Sequence, residues 1–301
     1  MKEGTERSAG MWLLSCFVAV GAALCGRFDW LSALAAGALV ALLCRYSAGE
    51  LPGALRILGA LWLAAPLCVL AEAARDLFPD AAGSLYVPAV VLALGWLMAR
   101  QSRGGLLACC AVVGFFVLGA VGLVSVFSLP KLTLRWLRPE PSLNGFLCAL
   151  ALGSGGMLLA ETGERPGPGW TWSAYLAPAV LSALAGGCLS GRLAFRQASA
   201  FYTLSRGVSL FGVAERFEAL IAACLTLGLC SACALLLRAA RTALKSDWSA
   251  LLVPAALGLT CAPIPGVCIS VGTTLFWVLF PAFFARKRTC KNLLKKSKKS
   301  S

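Results

Sequence analysis

The chain has 301 residues, of which 59% are hydrophobic and 13% charged, with a formal net charge of +14. A soluble domain carries about 25% charged residues, so the composition excludes a water-soluble globular protein, which would lack the polar surface to cover itself. The absence of histidine removes histidine-ligated metals, Ser-His-Asp triads and histidine proton shuttles.

The positive charge is no nucleic-acid footprint. Eight of the 27 Lys and Arg residues stand between Arg286 and Lys299, beside an apolar segment, where positive charge marks a cytosolic face. Most of the fourteen cysteines, such as Cys16, Cys44, Cys68, Cys148, Cys224, Cys230 and Cys233, lie inside apolar runs. There Cys acts as a small hydrophobe. Cys109-Cys110 is an adjacent pair with no metal-ligand spacing, so no metal site and no cofactor is expected.

A span needs about 20 apolar residues. In chain order the apolar runs are Met11–Cys25, Trp30–Cys44, Ile57–Ala71, Val87–Ala99, Leu106–Leu129, Leu143–Ala160, Trp170–Leu189, Phe217–Leu237, Trp248–Ala262 and Val267–Ala285. The third ends in a charged cluster, Glu72, Arg75, Asp76 and Asp80. The expected fold class is all-α: a polytopic membrane protein of about ten transmembrane helices, with nine as the alternative count. A single integral membrane domain covers 1–301, its spans lie within 11–285, and 286–301 is a basic cytosolic tail. The short first and fourth runs are expected to tilt or to bury against neighbours. The first also resembles a signal sequence, but Cys25-Gly26-Arg27 is a poor cleavage site, so it is retained as a span.

Loop charge sets the orientation. With the N-terminus inside, Lys2, Arg7, Arg45, Arg56, Arg100 and Arg103 fall inside, and only Arg27 and Arg75 outside. An even span count then puts the basic tail inside too. The second half runs against this, because Lys131, Arg135, Arg138, Arg192, Arg196 and Arg206 fall outside.

Three features are candidates for function. The sixth run is interrupted by Gly153-Ser154-Gly155-Gly156. Such a stretch is either an unwound ligand-binding segment, as in transporters, or a small-residue packing face. Gly21, at the middle of the first run, is its weak counterpart in a five-plus-five inverted repeat and is expected to face it. Glu72 and Arg75 share a helix face. Glu72 is either an interfacial partner of Arg75 or a carboxylate facing a polar cavity. Glu161, with Glu164 and Arg165 close by, has the same two readings. The candidate ligand-binding residues are therefore Gly21, Glu72, Gly153, Ser154, Gly155 and Gly156.

The third feature is Arg206, then Ser209-Leu210-Phe211-Gly212, then Glu215-Arg216-Phe217-Glu218-Ala219-Leu220 opening the eighth run. This resembles the endospore germination permease family, the B subunits of bacterial spore-germinant receptors. That family has an arginine-containing segment, a small-residue turn and Glu-Arg-x-Asp-x-Leu at the same place. Glu218 stands where the family has Asp. Phe127-Ser128-Leu129-Pro130 after the fifth run, and the mixed charges before a Pro after the third, are also similar. Gly21 stands without the Pro that usually breaks the family's first span, and Gly-Ser-Gly-Gly replaces its Phe-containing break in the sixth.

The resemblance implies the inverted-repeat architecture of amino acid–polyamine–organocation transporters. It implies a subunit of the bacterial cell membrane or spore inner membrane that senses a small nutrient germinant such as an amino acid. The implied partners are an A-type membrane subunit and a C-type lipoprotein. No reaction chemistry is visible, so no enzyme is expected. The alternatives are a secondary amino-acid transporter coupled to H⁺ or Na⁺, and an assembly subunit that no longer binds ligand. The last residues, Lys298-Lys299-Ser300-Ser301, also match a retrieval signal, but beside the bacterial resemblance the basic tail reads as an anchor for anionic lipid.

Overall fold

The computed structural model describes residues 2–46, 51–78, 84–162, 168–189, 197, 199–207, 217–245, 247–262 and 265–284. Among these every regular element is helical. The first helices are α1 (Lys2–Ala23), α2 (Trp30–Tyr46), α3 (Gly53–Trp62), α4 (Ala64–Asp76), α5 (Tyr86–Arg100) and α6 (Arg103–Ser128). They are followed by α7 (Leu143–Leu152), α8 (Gly155–Glu161), α9 (Pro168–Cys188), the short α10 (Ala200–Arg206) and α11 (Phe217–Leu244). The last are α12 (Leu252–Leu259) and α13 (Gly266–Thr274), which continues through a π-helical turn at Leu275–Leu279.

Local chemistry explains several boundaries. Ser102 caps α6 by accepting from the Gly105 N–H at 3.3 Å, and Ser142 caps α7 by accepting from the Gly145 N–H at 3.0 Å. Such caps satisfy N–H groups that the first turn leaves without a partner. Gly26 has φ 108°, a backbone conformation open to glycine, and it turns the chain between α1 and α2. Leu63 keeps helical angles, so α3 and α4 form one rod.

Five helical segments are long and apolar enough to cross a membrane: Gly53–Asp76, Arg103–Lys131, Leu143–Glu161, Glu218–Leu244 and Gly266–Phe284. The other apolar helices, Arg7–Ala23, Trp30–Leu43, Tyr86–Arg100, Trp172–Cys188 and Ser249–Leu259, are shorter. The segment Gly53–Asp76 exceeds its apolar run, Ile57–Ala71, at both ends and takes in Arg56 and Asp76, both of which pair with charges from distant parts of the chain. Lipid explains the outward faces: Val112, Phe115, Phe116 and Val126 of α6 are all more than half exposed. A water-soluble surface does not carry such a continuous apolar strip.

The core gathers on α1 and α11. In α11, 78% of the most apolar stretch is buried, against 39% to 50% in the other four long segments. α1 packs against α6, α9 and α11, and α11 also packs against α5. Hydrogen bonds tie the loops into two opposite ends. At one, the Ala200 N–H donates to Cys25 O at 2.8 Å and the Thr133 N–H to Gly187 O at 3.0 Å. The Trp30 indole donates to Leu137 O there at 3.2 Å. At the other end, Arg238 of α11 donates to Gln101 O at 3.3 Å.

Candidate functional site

A cavity of about 110 Å³ lies among α1, α4, the α7–α8 junction, α11 and α13. From α1 it takes Cys16, Phe17 and Val20, and from the turn just after it Leu24, which fall on one face at helical spacing. From α4 it takes Pro66, Val69 and Leu70, and from the α7–α8 rod Cys148, Ala151, Ser154, Gly155 and Leu158. Ala232, Leu235 and Leu236 of α11 and Ile269, Ser270 and Thr273 of α13 complete it. No charged side chain lines it among the described residues. The polar wall consists of the Ser154, Ser270 and Thr273 hydroxyls and two thiols.

The hydroxyls are held by the helices themselves. Ser154 Oγ donates to Ala151 O at 2.7 Å. Thr273 Oγ1 accepts from the Trp62 indole at 3.3 Å. Trp277, buried in the π-helical turn, donates its indole N–H to Gly59 O at 3.1 Å. Two indoles thus fasten α13 to the α3–α4 rod below the cavity wall.

The Gly153-Ser154 junction differs from the unwound segment expected. Both residues keep right-handed helical angles. The Gly153 N–H donates to Ala149 O at 3.2 Å and the Ser154 N–H to Ala151 O at 3.1 Å. The helix tightens and continues, because in an apolar interior each backbone group needs a partner. Tyr175 of α9 supplies one: its hydroxyl donates to Gly153 O at 3.2 Å.

The six candidate residues separate accordingly. Ser154 and Gly155 line the cavity. Gly153 borders a neighbouring void of about 10 Å³ with Tyr175 and Pro178. Gly156 lies against Tyr175, whose hydroxyl would meet an added Cβ at 2.8 Å. Gly21 faces α9, where Pro178 Cα would stand 3.2 Å from an added Cβ. It does not face the glycine stretch; Phe17, one turn earlier on α1, does. A Cβ on Gly155 would stand 2.5 Å from Phe17 Cε2, so glycine lets the ring close against α8. Phe17 in turn stacks edge-on against Tyr175, with ring centroids 5.4 Å apart.

Glu72 lies outside the cavity lining. It accepts from the Cys68 thiol at 3.7 Å, one turn back, and forms no ion pair with Arg75 among the described residues. Glu161 pairs with Arg56 of α3 instead. Asp76 pairs with Arg27 at 3.7 Å. Sequence reasoning missed both pairs and the Phe17–Tyr175 contact, since their partners are far apart in the chain. Of the Arg206 to Leu220 motif, Arg206 and Glu218 form an ion pair at 2.9 Å. Ser209, Leu210, Phe211, Gly212, Glu215 and Arg216 lie outside the described residues, as does the basic tail.

Among the described residues no group of three or more Cys, Asp or Glu is arranged to hold a metal ion. Compared with known proteins, the sequence matches no family model and no curated protein.

Proposed function

We propose that the chain is the membrane subunit of a spore-germinant receptor, a member of the endospore germination permease family, which senses a small amino-acid-like germinant in the cavity between α1, α4, α8, α11 and α13. The observation that carries this reading is the cavity itself. It draws its wall from both halves of the chain, and small-ligand sites of inverted-repeat transporters lie at the interface between repeats.

The order of helix packing supports a ten-span, five-plus-five repeat. Number the apolar helical segments one to ten in chain order. The first packs against the fifth and seventh, and the sixth packs against the tenth and second. The fourth packs against the eighth, and the ninth against the third. Each of these pairings becomes another when five is added or subtracted, the pattern expected of two five-span repeats; the packing of the first segment against the eighth has no such counterpart among the described residues. The resemblance at Arg206 to Leu220 supports the family.

The ligand is small and carries an uncharged side chain. A cavity of about 110 Å³ is well below the roughly 300–1,000 Å³ of drug-sized sites. Its uncharged walls offer no counter-ion, so the net charge that an ionised side chain would add to a neutral zwitterion is costly to bury. The Ser154, Ser270 and Thr273 hydroxyls supply the polar contacts. By the family, the partners are an A-type membrane subunit and a C-type lipoprotein, and the site of action is the spore inner membrane.

A secondary amino-acid transporter coupled to H⁺ or Na⁺ would use the same cavity. The two differ in turnover: a sensor needs only different affinities in two states, whereas a transporter releases its ligand on the far side. Uptake of radiolabelled neutral amino acids into proteoliposomes separates them. Saturable binding without accumulation is the result expected. Accumulation that collapses with the ion gradient identifies the transporter, and no binding at all identifies an assembly subunit.

A further inference from the structure

We propose that the ion pairs Arg27–Asp76 and Arg56–Glu161 are opposing latches on the cavity, one at each of its two ends. Both are anchored on the α3–α4 rod, Arg56 near its start and Asp76 at its last residue. At 1.5 Å per residue the two anchor points stand about 30 Å apart along the axis, close to the thickness of a bilayer's hydrocarbon core of about 30 Å. Between them, Pro66, Val69 and Leu70 form the rod's part of the cavity wall.

Each pair ties the rod to another part of the cavity wall, one to the end of α1 and the other to α8. Arg27 follows α1 by one turn beyond Leu24, a wall residue, and its N–H donates to Leu24 O at 3.0 Å. Glu161 closes α8 one turn beyond Leu158, also a wall residue. α1 and α8 therefore leave the cavity toward opposite ends, and each is fastened there to the same rod. Separating one pair frees one end of the cavity and leaves the other pair closed.

Both pairs are built to separate. The Arg56 and Glu161 side chains are 22% and 15% exposed, and Arg56 Nε is buried without a hydrogen-bond partner among the described residues. The Arg27–Asp76 contact is long at 3.7 Å, with side chains 36% and 26% exposed. Both pairs keep part of their side chains exposed, so their charges are taken up by water when a pair separates, as a closure that has to be released requires.

Cys148, a half-buried thiol on the cavity wall, is the native reporter. A membrane-impermeant methanethiosulfonate is added to sealed right-side-out and inside-out vesicles holding the full chain, and its attachment to Cys148 is read by peptide mass spectrometry. Glu161→Gln is expected to raise the labelling rate at least threefold from one side only, and Asp76→Asn from the opposite side only. The paired reversal Arg56→Glu with Glu161→Arg is expected to return labelling to the wild-type rate. Unchanged labelling in both single variants overturns the proposal, and so does an increase from both sides alike or a reversal that fails to restore the wild-type rate. The inference rests on reading the cavity as the ligand chamber, but the assay needs no ligand. One-sided labelling in a protein that binds no amino acid would sink the receptor reading and leave the latches standing.

Discussion

Tyr175 does two jobs with one side chain: its hydroxyl donates to Gly153 O, and its ring supports Phe17 at the cavity wall. Tyr175→Phe keeps the ring and removes the hydroxyl, so a loss of about 0.5–1.5 kcal/mol is expected, with the ligand response nearly intact; thermal unfolding in detergent measures it. Gly155→Ala acts on the wall directly. Its Cβ would displace the Phe17 ring, and overpacking of this kind costs about 1–3 kcal/mol. The germinant concentration-response curve should move to higher ligand while protein abundance holds, and an unmoved curve would remove Gly155 from the site. Glu72→Gln should be nearly silent in the same assay, because Glu72 meets Cys68 and lies off the wall. At this scale the sequence was informative about Ser154 and Gly155, since glycine clusters mark close approach whatever the partner. It was uninformative about Phe17, whose role depends on a ring of α9 that no spacing along α1 encodes.

The short helix α10 shows what an element between two long ones contributes. Ser199 opens it twice over, accepting from the Tyr202 N–H at 3.4 Å and donating to Ala22 O at 3.2 Å, so the cap also docks α10 on the end of α1. Ser199→Ala should loosen this docking by about 0.5–2 kcal/mol, seen as faster amide hydrogen exchange over 200–206 than in the wild type. The Arg206–Glu218 pair that joins α10 to α11 is 55% and 36% exposed. Exposed pairs contribute about 0–1 kcal/mol, so Arg206→Gln should leave unfolding almost unchanged. A large loss there would mean that Arg206 serves the binding of a partner or ligand and not the fold. The apolar runs placed the long helices well, because length and hydropathy are properties of one segment alone. They placed the ends of the Gly53–Asp76 segment poorly: the helix runs on through Arg56 and Asp76, whose ion-pair partners Glu161 and Arg27 come from distant parts of the chain.

For the whole molecule, the early loops and the basic tail favour an N-terminus and a C-terminus that are both cytosolic. A C-terminal reporter should therefore be active in the cytosol; periplasm-type activity would require an odd number of crossings and break the five-plus-five reading. The all-helical class was legible from the long continuous apolar runs, since a backbone in lipid must satisfy itself internally and barrel strands would alternate polar with apolar residues. The cavity was not, because five separate segments contribute to it and only their packing order brings Val20, Leu70, Leu158, Leu236 and Ile269 together. That cavity is the centre of the account, and filling it is the most direct test. Ala151 lies on its wall, so Ala151→Leu places three further carbons in space that is already empty and should leave the fold intact. Binding of radiolabelled small neutral amino acids to the reconstituted protein is measured for both forms. The account predicts saturable binding by the wild type and a loss of at least tenfold in affinity for Ala151→Leu at equal folded protein. Equal affinity in the two forms would contradict it.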